Sequence, residues 1–187
     1  MPDFLLHLDR QVFYFINHTL TNPAFDVVMP WLRNPKFWIP VYVFIIGFSI
    51  WKYRKAGAHL ILFLLVTVGV ADFASATLIK KQVQRARPCR DNVLAQTITS
   101  RVPCGTGYSF PSTHASDHFA MSVFLGVAYQ RKWRWIWVWV ILWAVLVCFA
   151  QVYVGVHYPI DVTGGALFGA LVGLVFAQLF KKFQPQF

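Results

Sequence analysis

The sequence predicts an all-α fold: a polytopic transmembrane helical bundle of five to six spans, preceded by an N-terminal interfacial helix. Three observations lead there. Residues of the hydrophobic class make up 57% of the 187 positions and charged residues only 13%, about half the charge of a typical soluble globule. The apolar residues fall into runs close to the roughly 20 residues needed to cross a bilayer. Basic residues flank those runs instead of forming a stripe on a polar domain, so nucleic acid is not an expected partner. With 18 Phe and 8 Trp, a disordered or fibrous chain is excluded.

Residues 1–36 contain short apolar stretches at 5–8 and 12–16, broken by His7, Asp9 and Arg10, which reads as a helix lying in the membrane interface. A sixth span would have to fall there. Residues 37–51 form a short clean run. The run at 56–79 is long and interrupted by His59 and Asp72; an ionisable group at that depth is expected to be paired within the bundle. Residues 111–129 begin polar and turn apolar, 135–153 are almost uniformly apolar, and 162–180 follow a brief polar turn. In this last run Gly165, Gly169 and Gly173 share one helical face, which predicts close backbone approach to a neighbour. The Trp residues at 133, 135, 137 and 139, beside Arg131, Lys132 and Arg134, read as an interfacial belt. The expected organisation is a single membrane-embedded domain over 1–187, with 1–36 interfacial, 37–180 the bundle and 181–187 a cytoplasmic tail. No basic leader with a cleavage site is visible, so no removable signal is expected.

Lys and Arg total 17 against seven acids, all Asp, for a net charge of +10. Such a balance suits anionic partners such as lipid headgroups or phosphates. If five spans alternate, segments 52–55, 130–134 and 181–187 share a face that carries eight basic residues and no acid. That face is expected to be cytoplasmic. The opposite face then looks to the periplasm or the cell exterior, in the cell (inner) membrane. Cys89 and Cys104 both fall on that outer side. A bridge between them would be worth about 3 kcal/mol in chain entropy and requires an oxidising compartment; two unrelated reduced thiols fit the spacing equally well.

The outer connections concentrate chemistry at the ends of spans. Lys80 and Arg87 are seven residues apart, which on one continuous helix puts two cations on nearly the same face, with Pro88 ending that helix. Such a pair can clamp a doubly charged anion. Pro111, Ser112, Thr113 and His114 read as a helix start whose hydroxyls can cap and whose free N–H groups can meet an anion. Asp117 and His118 follow at helical spacing, with His118 expected to be a polar residue near water. His157 and Asp161 can pair so that the carboxylate fixes the imidazole tautomer and raises its basicity.

Taken together, Lys80-(six residues)-Arg87-Pro88, Pro111-Ser112-Thr113-His114, and Ala150-Gln151-(five residues)-His157-(three residues)-Asp161 resemble the tripartite signature of the phosphatidic-acid phosphatase type 2 superfamily. The resemblance covers residues 80–161. It implies a metal-independent phosphatase, without cofactor, whose partner is a phosphorylated membrane lipid. By position His157 would attack phosphorus and form a phosphohistidine, Asp161 would orient it, and His114 would protonate the departing oxygen and later activate water. Lys80, Arg87, Ser112 and the backbone near Thr113 would hold the phosphate oxygens.

Three positions, in two of the motifs, depart from the signature. Thr113 stands in place of a glycine. Ala150 and Gln151 stand in place of serine and arginine, so a phosphate-binding cation is missing; Gln151 can still donate amide hydrogen bonds, and Arg85, Arg90 or Arg101 are candidates to supply the charge. Candidate substrates are undecaprenyl diphosphate, the 1-phosphate of lipid A and phosphatidylglycerol phosphate. A second reading, supported by Gln151, is a lipid-phosphate binding or transport protein of the same fold that has weakened catalysis. Vanadium-dependent haloperoxidases share the resemblance, but the many apolar spans argue against that activity. The sequence leaves oligomeric state open.

Overall fold

Capping residues and proline set the beginnings of the short N-terminal elements. In the computed structural model, which describes residues 3–91 and 97–187, α1 (Asp3–Tyr14) runs into a wide helical turn, Phe15–Thr19. Asn22 is extended, its Oδ1 accepts the Phe25 N–H at 2.9 Å, and Pro23 opens α2 (Pro23–Leu32), as a side-chain cap and an N-terminal proline favour. A tight turn, Pro35–Trp38, leads into α3 (Ile39–Phe73).

α3 is two arms of a hairpin rather than one rod. Arg54 has φ 53° and ψ −125°, and a methyl group on Gly57 would overlap the carbonyl oxygen of Ser49. Residues eight apart on a straight helix are separated by about 12 Å, so the chain must double back. The reversal falls inside the predicted connection 52–55. The second arm passes through a wide turn, Ala74–Ile79, into α4 (Lys80–Val83), which Gln84 stops in the left-handed conformation at φ 52°. A short turn at Pro88–Arg90 precedes α5 (Thr113–Tyr129), α6 (Ile136–Tyr153) and α7 (Pro159–Phe183).

Among the described residues every regular element is helical. Three helical stretches among the described residues are long and apolar enough to cross a membrane, Pro35–Arg90, Ile136–Tyr153 and Pro159–Phe183. The predicted run at 111–129 corresponds to α5, only 17 residues long, with His114, Asp117 and His118 in its first two turns. Large apolar side chains such as Phe44, Leu65, Trp139 and Leu167 point outward, the inverse of a water-soluble surface and the pattern of a membrane protein.

α5 runs through the centre. Its apolar face joins α3, α6 and α7 in a core containing Leu60, Phe124, Val147 and Phe180. The glycine stripe acts as predicted: a methyl group on Gly165, Gly169 or Gly173 would overlap the carbonyl oxygens of Ser112, Ser116 and Ala120 respectively. Helices α5 and α7 therefore touch backbone to backbone, which draws the N-terminus of α5 against the start of α7. At the far end Tyr53, Tyr129 and Phe187 cluster, with ring centroids 4.8 to 5.8 Å apart, and Lys132 Nζ lies 4.7 Å from the Phe187 ring. The three acid-free segments thus share one end of the bundle.

Candidate active site

The opposite end is organised around Asp161. Pro159 opens α7, and Asp161 Oδ2 accepts the Tyr158 N–H at 2.8 Å, closing the helix start on itself. Asp161 Oδ1 accepts from Arg85 Nη1 at 2.7 Å. Arg85 also grips Asp9 of α1, and its guanidinium lies 4.1 Å from the Tyr158 ring. Asp9 in turn takes the Ile160 N–H at 2.8 Å. The N-terminal helix is therefore bolted to the start of α7 by a buried Asp-Arg-Asp bridge.

His157 precedes this start by two residues and is 2% exposed. Its Nδ1 stands 3.6 Å from Asp161 Oδ2, slightly beyond hydrogen-bond length, so the expected pair is an electrostatic neighbour contact. Its Nε2 lies 3.2 Å from Arg87 Nη1. Burial holds the His157 imidazole below its ordinary range, at about 4.

Arg87 and Lys80 do converge, but not on one helix face. Gln84 breaks the helix, and Arg87 is extended (φ −75°, ψ 152°), the conformation that a following proline imposes. Ser109 N–H donates to the Arg85 carbonyl at 2.8 Å, which fixes this strand-like passage. Arg87 is anchored by the carbonyls of Val156 (3.1 Å), Gly107 (3.3 Å) and Thr106 (3.4 Å). Cys89 and Cys104 are bridged, across 15 positions, and so tie the chain just after Arg87 to the loop that grips it.

A cavity of about 640 Å³ opens beside these groups. Lys80, Arg87, Thr113, His114, Gln151 and His157 line its polar end, and Ile45, Ile61, Leu64, Val68, Met121 and Leu125 line its apolar length. The three sequence clusters thus meet at one cavity. Asp161, beside His157, stands outside the lining, and so does Ser112. Ser112 is buried behind the wall, its N–H donates to the Asp161 carbonyl at 2.9 Å, and its hydroxyl has no protein partner. Neither Ser112 nor Thr113 caps α5 through its hydroxyl as expected, so the first N–H groups of that helix remain unpaired by side chains. Gln151 is fully buried, with neither amide atom hydrogen-bonded to protein.

His118 departs from its expected place near water. It is 4% exposed, packs edge-on against Trp143 with ring centroids 5.0 Å apart, and its Nδ1 donates to the His114 carbonyl at 2.8 Å. That bond steadies the turn bearing His114. Asp72 and Asp117 line the cavity with Lys80.

None of the three arginines considered for the missing charge faces the cavity. Arg85 is committed to Asp9 and Asp161, and Arg101 is committed to Asp26, to Thr21 Oγ1 at 2.7 Å and to the Tyr153 carbonyl at 3.0 Å. Two residues that the sequence did not mark as candidates hold positions here: Arg33, which lines the cavity, and Asp9, which with Arg85 holds its wall. Asp9 carried one signal, a carboxylate among the apolar residues of an amphipathic stretch.

Known proteins share this arrangement of chain. Two solved structures have the same fold at 24% sequence identity each: Aquifex aeolicus LpxE, with a TM-score of 0.67 over 91% of this chain and 95% of that one, and the first transmembrane PAP2-type phosphatidylglycerolphosphate phosphatase from Bacillus subtilis, with 0.69 over 99% and 88%. In sequence, the chain is 28% identical to lipid A 4'-phosphatase of Bacteroides thetaiotaomicron over 94% of its own length and 78% of that protein's. It is 32% identical to undecaprenyl-diphosphatase of Sulfolobus acidocaldarius over 76% of its length, spanning 63% of that protein. Residues 56–185 match the PAP2 superfamily as a whole, and with the helical frame and the convergence of the three clusters, this chain belongs to that superfamily.

Proposed function

We propose that the protein is a membrane lipid phosphatase that removes phosphate from a lipid phosphate or diphosphate through a phosphohistidine. The observation that carries this reading is one cavity in which His114, His157, Lys80 and Arg87 meet at one end and aliphatic side chains line the rest. An amphiphile fits such a lining, phosphate among Lys80 and Arg87 and hydrocarbon against Ile61, Leu64 and Met121. The named relatives act on lipid A and undecaprenyl diphosphate, so those two lipids head the candidate substrates, with phosphatidylglycerol phosphate third.

In this reading His157 Nε2 attacks phosphorus in line, the bond from phosphorus to the lipid oxygen breaks, and His114 delivers a proton to that oxygen. Asp161, on the Nδ1 side, keeps the proton there and leaves the Nε2 lone pair free, then offsets the charge that develops on the ring. Arg87 sits beside Nε2 and, with Lys80 and the first N–H groups of α5 near Thr113, meets the charge spreading over the equatorial oxygens. Water activated by His114 then attacks phosphorus, the P–N bond breaks, and inorganic phosphate leaves. Gln151 contributes amide hydrogen bonds, and Ser112 supports the α5 turn from behind. The chain's own cations neutralise the phosphate, so the reaction is metal-independent.

Five membrane passes follow if the two arms of α3 and α5, α6 and α7 each cross once, with α1 and α2 at the interface and the site at the outer rim of the inner membrane. The Cys89–Cys104 bridge supports that side.

The test is release of inorganic phosphate by detergent-purified protein, in chelator, from a panel of the three lipid classes. At least one lipid is hydrolysed, and His157→Ala reduces its turnover by about 1,000-fold or more, the scale of removing a covalent nucleophile. Hydrolysis of none would leave the binding or transport reading in possession, and equal turnover by the variant would strip His157 of its role.

A further inference from the structure

Arg33 carries a half-buried guanidinium to which, among the described residues, no carboxylate serves as counter-ion. It ends α2, donating its backbone N–H to the Met29 carbonyl at 3.2 Å. The corner it occupies is rigid: Trp38 Nε1 donates to the Leu32 carbonyl at 2.7 Å, and Asn34 Oδ1 accepts the Lys36 N–H at 3.0 Å. The side chain enters the same cavity as Lys80, Arg87, His114, Gln151 and His157. Its Nε is buried with no hydrogen-bond partner, and among the described residues no carboxylate pairs with it. Its charge is within electrostatic reach of Arg87 and His114.

A partly desolvated cation facing two other cationic or polarised groups is unfavourable in isolation and becomes favourable once an anion joins it. Gln151 makes the matching observation from the other wall. It is fully buried, lines the cavity, and has both amide atoms unpartnered, at the position where the superfamily signature has an arginine. Guanidinium is the group suited to that task, since it stays charged on burial and meets two phosphate oxygens at once.

We infer that Arg33 supplies the phosphate-binding guanidinium absent at position 151, reaching the phosphoryl oxygens from the α2–α3 corner while the Gln151 amide completes the hydrogen bonding. The charge of the site is thereby conserved although its sequence origin has moved by more than 100 positions. This inference rests on the phosphatase reading above and adds to it a substrate-contacting residue.

The experiment uses the full chain in detergent, with the lipid hydrolysed fastest in the panel and orthovanadate as a phosphate-shaped inhibitor. Arg33→Ala is expected to lower kcat/KM by about 10- to 100-fold and to weaken vanadate inhibition by at least about tenfold, the scale of one charge-assisted bidentate contact. Arg33→Lys is expected to fall between the two. Adding Gln151→Arg to Arg33→Ala should recover vanadate affinity, which a purely structural role for Arg33 would not permit. Should Arg33→Ala fail to fold, Arg33→Met and Arg33→Lys keep the aliphatic packing, and their vanadate affinities decide the matter. Unchanged vanadate affinity in the folded variants would overturn the inference while leaving the phosphatase intact. A parent protein that neither hydrolyses any lipid nor binds vanadate would overturn both.

Discussion

The Asp161 carboxylate is held from two directions, and each contact limits what the neighbouring imidazole can do. One oxygen is taken by the Tyr158 N–H and the other by Arg85, so the carboxylate cannot swing away from His157. His157 in turn is buried, and burial puts its imidazole at about 4 against an ordinary value near 6.5. The sign of the linkage is fixed by that direction. The unfolded chain binds the proton over pH 4 to 6.5 and the folded chain does not, so the stability associated with neutral His157 is present above about 6.5 and is lost as pH falls toward 4. Thermal melting of the purified protein should therefore decline across that window, and His157→Gln, which cannot protonate, should decline less; parallel curves would mean the ring is solvated. Arg85 offers a second measurement at this scale. Arg85→Ala leaves Asp9 and Asp161 buried and uncompensated, which is expected to destabilise the protein by about 3–5 kcal/mol, readable in urea-induced unfolding. Asp9 and Arg33 were not legible as site residues, and Arg85 was legible only as a candidate phosphate-binding cation and not as the bridge it forms, because their importance is not local. Arg85 meets partners 76 positions away on either side, and no periodicity or spacing announces such a pairing. His114, His157 and Asp161 were legible because an ordered signature carries them.

At the scale of elements, the glycine stripe of α7 does what its four-residue spacing foretold. Gly169 lies against the Ser116 carbonyl with no room for a methyl group, whereas Gly69 on the second arm of α3 has nothing within 4 Å. Gly169→Ala is expected to push α5 from α7, destabilising the protein by about 1–3 kcal/mol. Phosphatase activity should fall with it, since the α5 N-terminus and the start of α7 are held together by that contact. Gly69→Ala should instead be neutral or stabilise by up to about 1 kcal/mol through helix propensity. A Gly169→Ala protein as stable as Gly69→Ala would show the stripe to be dispensable. The runs at 37–51 and 56–79 were readable as separate helices because Lys52, Arg54 and Lys55 interrupt them. The end of α4 was not readable, because Gln84 adopts its left-handed conformation in a passage set by the bond from Ser109 to Arg85, a tertiary cause that local spacing does not encode.

Across the whole molecule, charge and covalent chemistry divide the two ends of the bundle. Tyr53, Tyr129, Phe187 and Lys132 gather the acid-free connections at one end, while Asp9, Asp91, Asp161 and the Cys89–Cys104 bridge lie at the other with the cavity mouth. A bridge closing a loop of this length is worth about 3 kcal/mol by chain entropy, a contribution realised only where thiols are oxidised. By its lack of acids the first end is the expected cytoplasmic one, and the bridge, which shares no residue with that argument, points the same way. Orientation is measurable with an impermeant maleimide applied to intact cells. Before reduction neither Cys89 nor Cys104 should react. After an impermeant reductant both should react in intact cells, while Cys148, buried in α6, stays unlabelled. Reaction of Cys89 and Cys104 only after the cells are broken would turn the bundle over and put the candidate active site on the cytoplasmic side. The positive-inside count alone cannot make that distinction, because eight basic residues at one end face nine at the other.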